Sequence, residues 1–385
     1  MSIPFIHARS RPSMNYLFIK NSVSFLLQFI KHRLPVSSLA TSWKRYKALW
    51  YLHEMEVGEF FLYHLWRTDL SKEKYTSFVG WKKHILSLMA LNPIQYRCIT
   101  ENKLIFYTHT MAFGIPTPKI YAVYDPNLPR INGFTIINTM DHLIDFISRN
   151  NITQFVIKPV EGTRGKSILV LLFDKKTEGF RSVSGEAASV TSIAKVLEGY
   201  NHRGTMQSCF LLQERLTPHE STLHLSEYVP FSYRVVTLLD ESNKPHIIAL
   251  HGKSAVGNNT SDNREAGGLT CLFDDTGVCY GASSQESGFN VTERHPTNGF
   301  MLKGWKAPFY KDVCELALRL SKTFFLARCV GWDIVVSNSG LYVIEGNNPW
   351  SLKQQEVYYR GLWTGVFAKE AGRAIKNGPS KSPWW

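Results

Sequence analysis

The spacing of apolar positions changes along the chain. Up to about residue 90 they recur at helical intervals, with aromatic-rich pieces such as GEFFLYHLW, and the pattern predicts a run of amphipathic helices. Residues 100–114, TENKLIFYTHTMAFG, read as a helix stopped by Gly114, and IPTPKIYAVYD reads as a proline-marked entry into a strand. DHLIDFISRN reads as a helix with Asp141 placed to cap it. From residue 153 short β-prone runs take over, predicting strands at 153–158, 167–173, 209–214, 233–239 and 246–254, with SVTSIAKVLEGY as an intervening helix.

Val313, Leu316, Ala317, Leu320 and Phe324 share one helical face, which predicts a helix over about 311–328. GWDIVVSNSGLYVIEGN then reads as a strand pair, and a last helix is predicted over about 355–376. Strands and helices mix without regular βαβ alternation, so the expected fold class is α+β with antiparallel sheets.

Bulk properties narrow the picture only where they depart from the ordinary. The 385 residues are 44% hydrophobic and 19% charged, as in a soluble globular protein large enough for two or three packed units. The most apolar candidate span, YLFIKNSVSFLLQFIKHRL, is broken by Lys20, Asn21, Ser22, Ser24 and Gln28, and it has no small-residue cleavage site, so neither a membrane span nor a signal peptide is expected. Six cysteines without C-x-x-C spacing read as free thiols in a reducing cytosol. The +13 net charge is uneven: residues 1–100 hold 14 Lys/Arg against 5 Asp/Glu. A basic N-terminal segment suits a solvated helical face, an anionic membrane surface or nucleic acid. No recognised nucleic-acid module appears, and no nucleic-acid partner is expected.

Candidate chemistry begins with FVIKPVEGTRGKSILVL, residues 155–171, whose Gly165-Lys166-Ser167 looks like the end of a Walker A loop. That loop needs a glycine at position 160, where Val160 stands, and a helix afterwards, where an apolar β-prone run follows. The glycines belong instead to a turn between strands. Lys158 ends the first strand and would point its ammonium at whatever the turn encloses. Gly162 and Gly165 would let backbone amides approach phosphate oxygens, with Arg164 and Lys166 adding charge. In FLLQERL, Gln213 and Glu214 end an apolar strand, where an amide beside a carboxylate can read an adenine edge and a ribose hydroxyl. Arg234 lies inside the strand SYRVVTLL, where a buried guanidinium needs an anion. DNREAGG places Asn263 and Arg264 beside a glycine pair.

The strand pair carries the sharpest signal. If Asn338, Ser339 and Gly340 form a three-residue loop, Ser337 pairs with Leu341 and Asp333 lies opposite Glu345, with Asn347 on the same face. Two carboxylates and an amide oxygen are hard ligands suited to Mg²⁺. The alternative is a polar, solvent-facing side of an antiparallel sheet, but the flanking Ile334, Val335, Val336, Val343 and Ile344 point to a buried hairpin whose carboxylates need a cation.

In this order the pieces resemble the ATP-grasp superfamily over roughly residues 95–355: ENKLIFYTHTMAFGIPTP, VIKPVEGTRGKSI, LLQERL, SYRVVTL, DNREAGGL, GWDIVV and VIEGNNPW. EFFLYHLWRTDLSKEKYTSF and HPTNGFMLKGWKAPFY look most like the sugar-transfer associated branch. The resemblance implies two α+β lobes gripping ATP: a basic helical region at 1–90, then an ATP-grasp domain at 91–385, divided into 91–150, a glycine-loop lobe at 151–215 and a metal-binding lobe at 216–385.

It further implies that Lys103 and Lys158 hold the phosphates and adenine, and that Gly162, Thr163, Arg164, Gly165, Lys166 and Ser167 form the flexible phosphate loop. Gln213 and Glu214 would read adenine and ribose, and Arg234 and Asn263 would contact phosphate. Asp333, Glu345 and Asn347 would bind Mg²⁺, with Mn²⁺ as the alternative. Lys158, Arg234 and Asn263 would be the catalytic set. The implied activity is ATP-dependent ligation of a carboxylate to an amine or similar nucleophile in cell-envelope or polysaccharide sugar metabolism. The rival readings are phosphotransfer to a hydroxyl and a non-enzymatic basic binding protein. The implied location is the cytoplasm, with peripheral contact at the inner membrane face.

Overall fold

A computed structural model describes residues 14–128, 133–162, 167–202, 205–257, 259, 261–284, 290–352, 355, 358 and 360–378. Helices lead, as the apolar spacing predicts: α1 (Met14–Lys31), α2 (Leu39–His53), α3 (Val57–Leu62), α4 (Lys72–Thr76), α5 (Trp81–Leu91), α6 (Cys98–Glu101) and α7 (Lys103–Ala112). Phe25, Phe29, Tyr46, Leu49, Phe60, Phe61 and Phe78 form an aromatic core of their own. Arg45 is buried beside it because its guanidinium donates to the carbonyls of Leu65 and Arg67 and lies 4.5 Å from the Tyr75 ring. α5 belongs to a different cluster: its Leu88 and Leu91 pack with Trp350, Leu362 and Phe367.

A seven-stranded sheet follows, built from β1 (Ile120–Tyr124), β2 (Ile136–Ile137), β3 (Gln154–Pro159), β4 (Leu169–Asp174), β5 (Gly179–Ser182) and β6 (Ala187–Ala188), with α8 (Met140–Arg149) and α9 (Val190–Leu197) intervening. A two-stranded hairpin, β7 (Tyr200–His202) and β8 (Thr205–Gln207), leads into β9 (Phe210–Glu214). The order is β2-β1-β9-β3-β4-β5-β6, antiparallel except for β1 with β2. Phe155, Ile157, Phe210 and Leu212 share a core with Leu143 and Ile147 of α8 and Ile193 and Leu197 of α9. Strand alternation therefore turns Lys158 and Gln213 to the opposite face.

The second sheet has six strands, all antiparallel, in the order β13-β12-β11-β10-β14-β15. These are β10 (Ser232–Leu239), β11 (Pro245–Ser254), β12 (Leu269–Phe273), β13 (Cys279–Ser283), β14 (Cys329–Ser337) and β15 (Gly340–Asn347). Val313, Leu316, Ala317 and Leu320 of α10 (Tyr310–Thr323) cover the face carrying Tyr233, Val235, Ile334 and Val336. α5 and α11 (Gly365–Lys376) cover part of the other face through Val236 and Leu238. The remainder of that face is polar.

The expected α+β class with antiparallel sheets is what the chain forms, with differences at element ends. Thr139, not Asp141, caps α8: its hydroxyl accepts from the His142 amide, while Asp141 sits in the first turn. α10 ends at Thr323 rather than near 328, because the chain turns there, with Ala327 N donating to Phe324 O, to enter β14. The last helix begins at Gly365, not near 355. The buried side chain of Gln355 bonds both the amide and the carbonyl of Val79, and it also accepts from Leu362 N, so this stretch docks onto the helical region.

Candidate functional site

The polar face of the six-stranded sheet is built by register. His251 pairs with Arg234, Arg234 with Asp333, and Asp333 with Glu345, so the four lie in a line across β11, β10, β14 and β15 on one face. The β14–β15 connection is tighter than the sequence suggested. Ser337 pairs with Gly340, not Leu341, which alone would put Asp333 out of line with Glu345. A register shift between the Ile334–Val343 and Asp333–Glu345 pairs, which leaves Ile344 extra, restores the alignment. A shorter turn and a bulge thus compensate each other.

Asp333 is 2% exposed. Arg234 grips it with Nε and, at 2.9 Å, Nη2, and Lys253 Nζ reaches its second oxygen at 3.0 Å. Lys253 also lies 3.2 Å from Asp262, which accepts from the Ser232 hydroxyl at 2.5 Å. Burial alone would raise the Asp333 pKa, but the charges and hydrogen bonds of Arg234 and Lys253 outweigh it and hold the carboxyl far below its ordinary value. Burial likewise pulls Arg234 and Lys253 down, and the facing carboxylates more than reverse it.

A second group comes from the seven-stranded sheet and α7. Lys158 Nζ donates to the Tyr107 hydroxyl at 2.6 Å, and that hydroxyl lies 2.7 Å from Ile344 O and 3.3 Å from Gln213 Oε1. Tyr107 therefore ties β3 and β9 to the bulge in β15. Lys103 opens α7, its amide bonded to Val160 O and its Nζ 3.3 Å from Gly162 O. Burial pushes Lys158 down to about 8 and also lowers Lys103, and in both the Glu345 charge opposes the fall. Glu345 is also felt by Arg234 and Lys253. The charge of one carboxylate is thus felt by four cations from different elements, the buried Lys103 and Lys158 and the largely buried Arg234 and Lys253.

The other expected residues take different places relative to this centre, and by strand alternation Glu214 falls on the face opposite Gln213. Asn347 Nδ2 donates to Glu345 Oε1 at 3.1 Å and to Gly331 O at 3.3 Å, an arrangement that leaves Asn347 Oδ1 and the second Glu345 oxygen as acceptors. These hard oxygens fit Mg²⁺. Asp333 fits it less directly, since Arg234 and Lys253 engage both its oxygens. Among the described residues no three His, Cys, Asp or Glu side chains form a metal-holding group, so any cation site here depends on the Asn347 amide oxygen.

Gln213 is buried with both amide ends engaged, its Nε2 donating to Pro118 O at 3.1 Å. The Glu214 carboxylate accepts from Lys119 N at 3.1 Å. Asn263 follows Asp262 and caps a tight turn, its carbonyl accepting from Ala266 N and Gly268 N. Gly162 and Ser167 flank the glycine loop, while Thr163, Arg164, Gly165 and Lys166 lie outside the described residues.

Sequence reasoning missed Lys253, Asp262 and Tyr107. Lys253 carried a usable signal, because it closes the strand PHIIALHGKS much as Lys158 closes FVIK. Tyr107 carried none, being one of two adjacent aromatics on its helix.

No curated protein matches the sequence. Among solved structures, a biotin carboxylase–βγ-ATP complex from Campylobacter jejuni is 8% identical with a TM-score of 0.45, covering 74% of this chain and 48% of its own. D-alanyl-alanine synthetase A from Vibrio cholerae is 12% identical with a TM-score of 0.42, covering 76% and 68%. An L-amino acid ligase from Bacillus licheniformis is 12% identical with a TM-score of 0.38, covering 75% and 50%. The chain thus spans about half the length of the carboxylase it matches. The family profile described as sugar-transfer associated ATP-grasp matches residues 88–368, which takes in both sheets and every side chain of the polar face. The chain belongs to the sugar-transfer associated ATP-grasp family.

Proposed function

We propose that the protein is an ATP- and Mg²⁺-dependent ligase that joins a carboxylate to an amine or similar nucleophile through an acyl phosphate. The observation that carries this reading is the convergence of Lys103, Lys158, Arg234 and Lys253 around Glu345. Arg234 and Lys253 are ion-paired with Asp333 and Asp262, whereas the buried ammoniums of Lys158 and Lys103 bond the Tyr107 hydroxyl and the Gly162 carbonyl, and such ammoniums suit a polyanion such as a nucleotide triphosphate. Glu345 and Asn347 would hold Mg²⁺, and Asp333 can join them only when Arg234 and Lys253 release one of its oxygens. The metal, when bound, would neutralise phosphate charge as it develops.

In the proposed reaction a carboxylate oxygen attacks the γ-phosphorus and the bond to ADP breaks. The second nucleophile then attacks the acyl carbon and phosphate leaves. Lys158, fixed by Tyr107, and Arg234, fixed by Asp333, would orient the transferring group, with Asn263 at the adjoining turn. Gln213 and Glu214 would border the adenine and ribose, and Gly162 to Ser167 would close over the phosphates. A sugar-linked acceptor in envelope or polysaccharide metabolism is supported by the family description alone. Free cysteines favour a cytoplasmic setting.

An ADP-release screen over carboxylate and amine pairs, amino acids and amino sugars included, tests the reading, with hydroxylamine added to trap an acyl phosphate as hydroxamate. Hydroxamate formation supports ligation. ADP release with a phosphorylated hydroxyl product and no hydroxamate would establish a phosphotransferase instead.

A further inference from the structure

Helix α1 has two apolar faces, and only one is used. Phe25 and Phe29 point into the aromatic core. On the far side Tyr16, Ile19, Val23, Leu26, Leu27 and Ile30 are all exposed, five of them by more than half. At 100° per residue these six fall within an arc of roughly 100°, the width of an interfacial helix's apolar face. The stripe continues into a groove of about 600 Å³ between α1 and the start of α2, lined by Phe18, Leu26, Val36, Leu39 and Trp43. An apolar surface this continuous is unusual on a face that meets only water.

Charge decides what covers it. Lys20 and Lys31 border the stripe on the side away from the groove, and Arg33 and Lys44 are exposed nearby, while residues 1–53 contain no Asp or Glu. A second copy docked through the same face would bring two all-basic surfaces together. A surface that is apolar within and anionic at its boundary complements both features. Among the described residues no helix is long and apolar enough to cross a membrane, so such a helix would lie in the interface.

We propose that α1, with the α1–α2 groove, docks the protein on an anionic lipid surface, the stripe entering the headgroup–acyl boundary and Lys20 and Lys31 meeting the headgroups. The docking is independent of the ligase reading, since every residue in it lies outside the polar face of the sheets. Flotation of the full-length protein with phosphatidylcholine vesicles, with and without phosphatidylglycerol, tests it. Binding is expected to anionic vesicles only and to fall as salt rises. Lys20→Gln with Lys31→Gln should weaken it about 30-fold, from roughly fivefold per basic residue at an anionic surface. Leu27→Ser with Ile30→Ser should weaken it by roughly tenfold or more, and unchanged thermal melting would show that these exposed substitutions leave the fold intact. Equal binding to neutral and anionic vesicles, no binding at low salt, or wild-type binding by both folded variants overturns the proposal. So does a lipid-indifferent dimer that Leu27→Ser with Ile30→Ser converts to monomer, which would assign the stripe to self-association.

Discussion

Replacing Asp333 by Asn should unsettle the fold itself before any question of chemistry arises. The carboxylate is 2% exposed and faces two cations that are themselves largely buried, Arg234 at 15% and Lys253 at 16% side-chain exposure. Asn keeps the shape and removes the charge, so both cations are left in a poorly solvated place with Asp262 and Glu345 as remaining anions. Removing one partner of a buried ion pair typically costs ~3–5 kcal/mol. At roughly 2 °C per kcal/mol, the low end for large domains, the melting midpoint should drop by about 6–10 °C.

The reasoning is tested by a cycle. Lys253→Met removes one stranded cation in advance, so Asp333→Asn should cost about 1–3 kcal/mol less in that background. The pH dependence has a definite sign. The folded pKa of Asp333 is depressed below the ordinary 3.8, so its contribution is present above that value and is lost as pH falls toward the folded pKa. The gap between wild type and Asp333→Asn, read by urea titration, should be flat near neutrality and shrink below about pH 4. A wild-type melting midpoint for Asp333→Asn, or strictly additive effects with Lys253→Met, would refute the ion cluster as described.

Other perturbations separate binding from catalysis. Glu345→Gln should bring ATP turnover to background while the protein stays folded, and it should tighten metal-free ATP binding by calorimetry, because a carboxylate among the four cations is gone; turnover at wild-type rate would remove Glu345 from the metal pair. Lys158, pushed down to about 8 by burial, favours its neutral form as pH rises, so ATP affinity should fall above pH 8 and Lys158→Arg should flatten that profile. Lys158→Ala should weaken ATP binding far more than Lys166→Ala, since Tyr107 fixes the first ammonium; equal losses in a nucleotide titration would argue against that role. At Gly268 an added Cβ would stand 2.3 Å from Asp262 O, so Gly268→Ala must shift the turn that carries Asp262 and should lower turnover with a smaller effect on melting.

Much of this site was readable because hairpin pairing is local. Asp333 and Glu345 lie twelve residues apart, and the apolar neighbours that predicted buried carboxylates were right for Asp333, while Glu345 is half-buried. Even there the route differed: a two-residue turn and a bulge at Ile344, rather than a three-residue turn, brought the pair opposite each other. Lys158 was legible for a similar reason, as a charge closing an apolar strand before a glycine turn. Helical spacing likewise predicted the N-terminal helices and the buried face of α10.

What periodicity could not supply were contacts between segments far apart in the chain. The counter-charge of Asp333 comes from β10 and β11, some 80 to 100 residues away. The amide of Gln213, an apparent nucleotide reader by sequence, is engaged by Tyr107 and Pro118. Gln355 bonds to Val79 across 276 residues, and the last helix starts only at Gly365. Period and local pairing determine which face a side chain takes; which groups meet on that face depends on how the sheets and helices pack, and only the tertiary structure decides it.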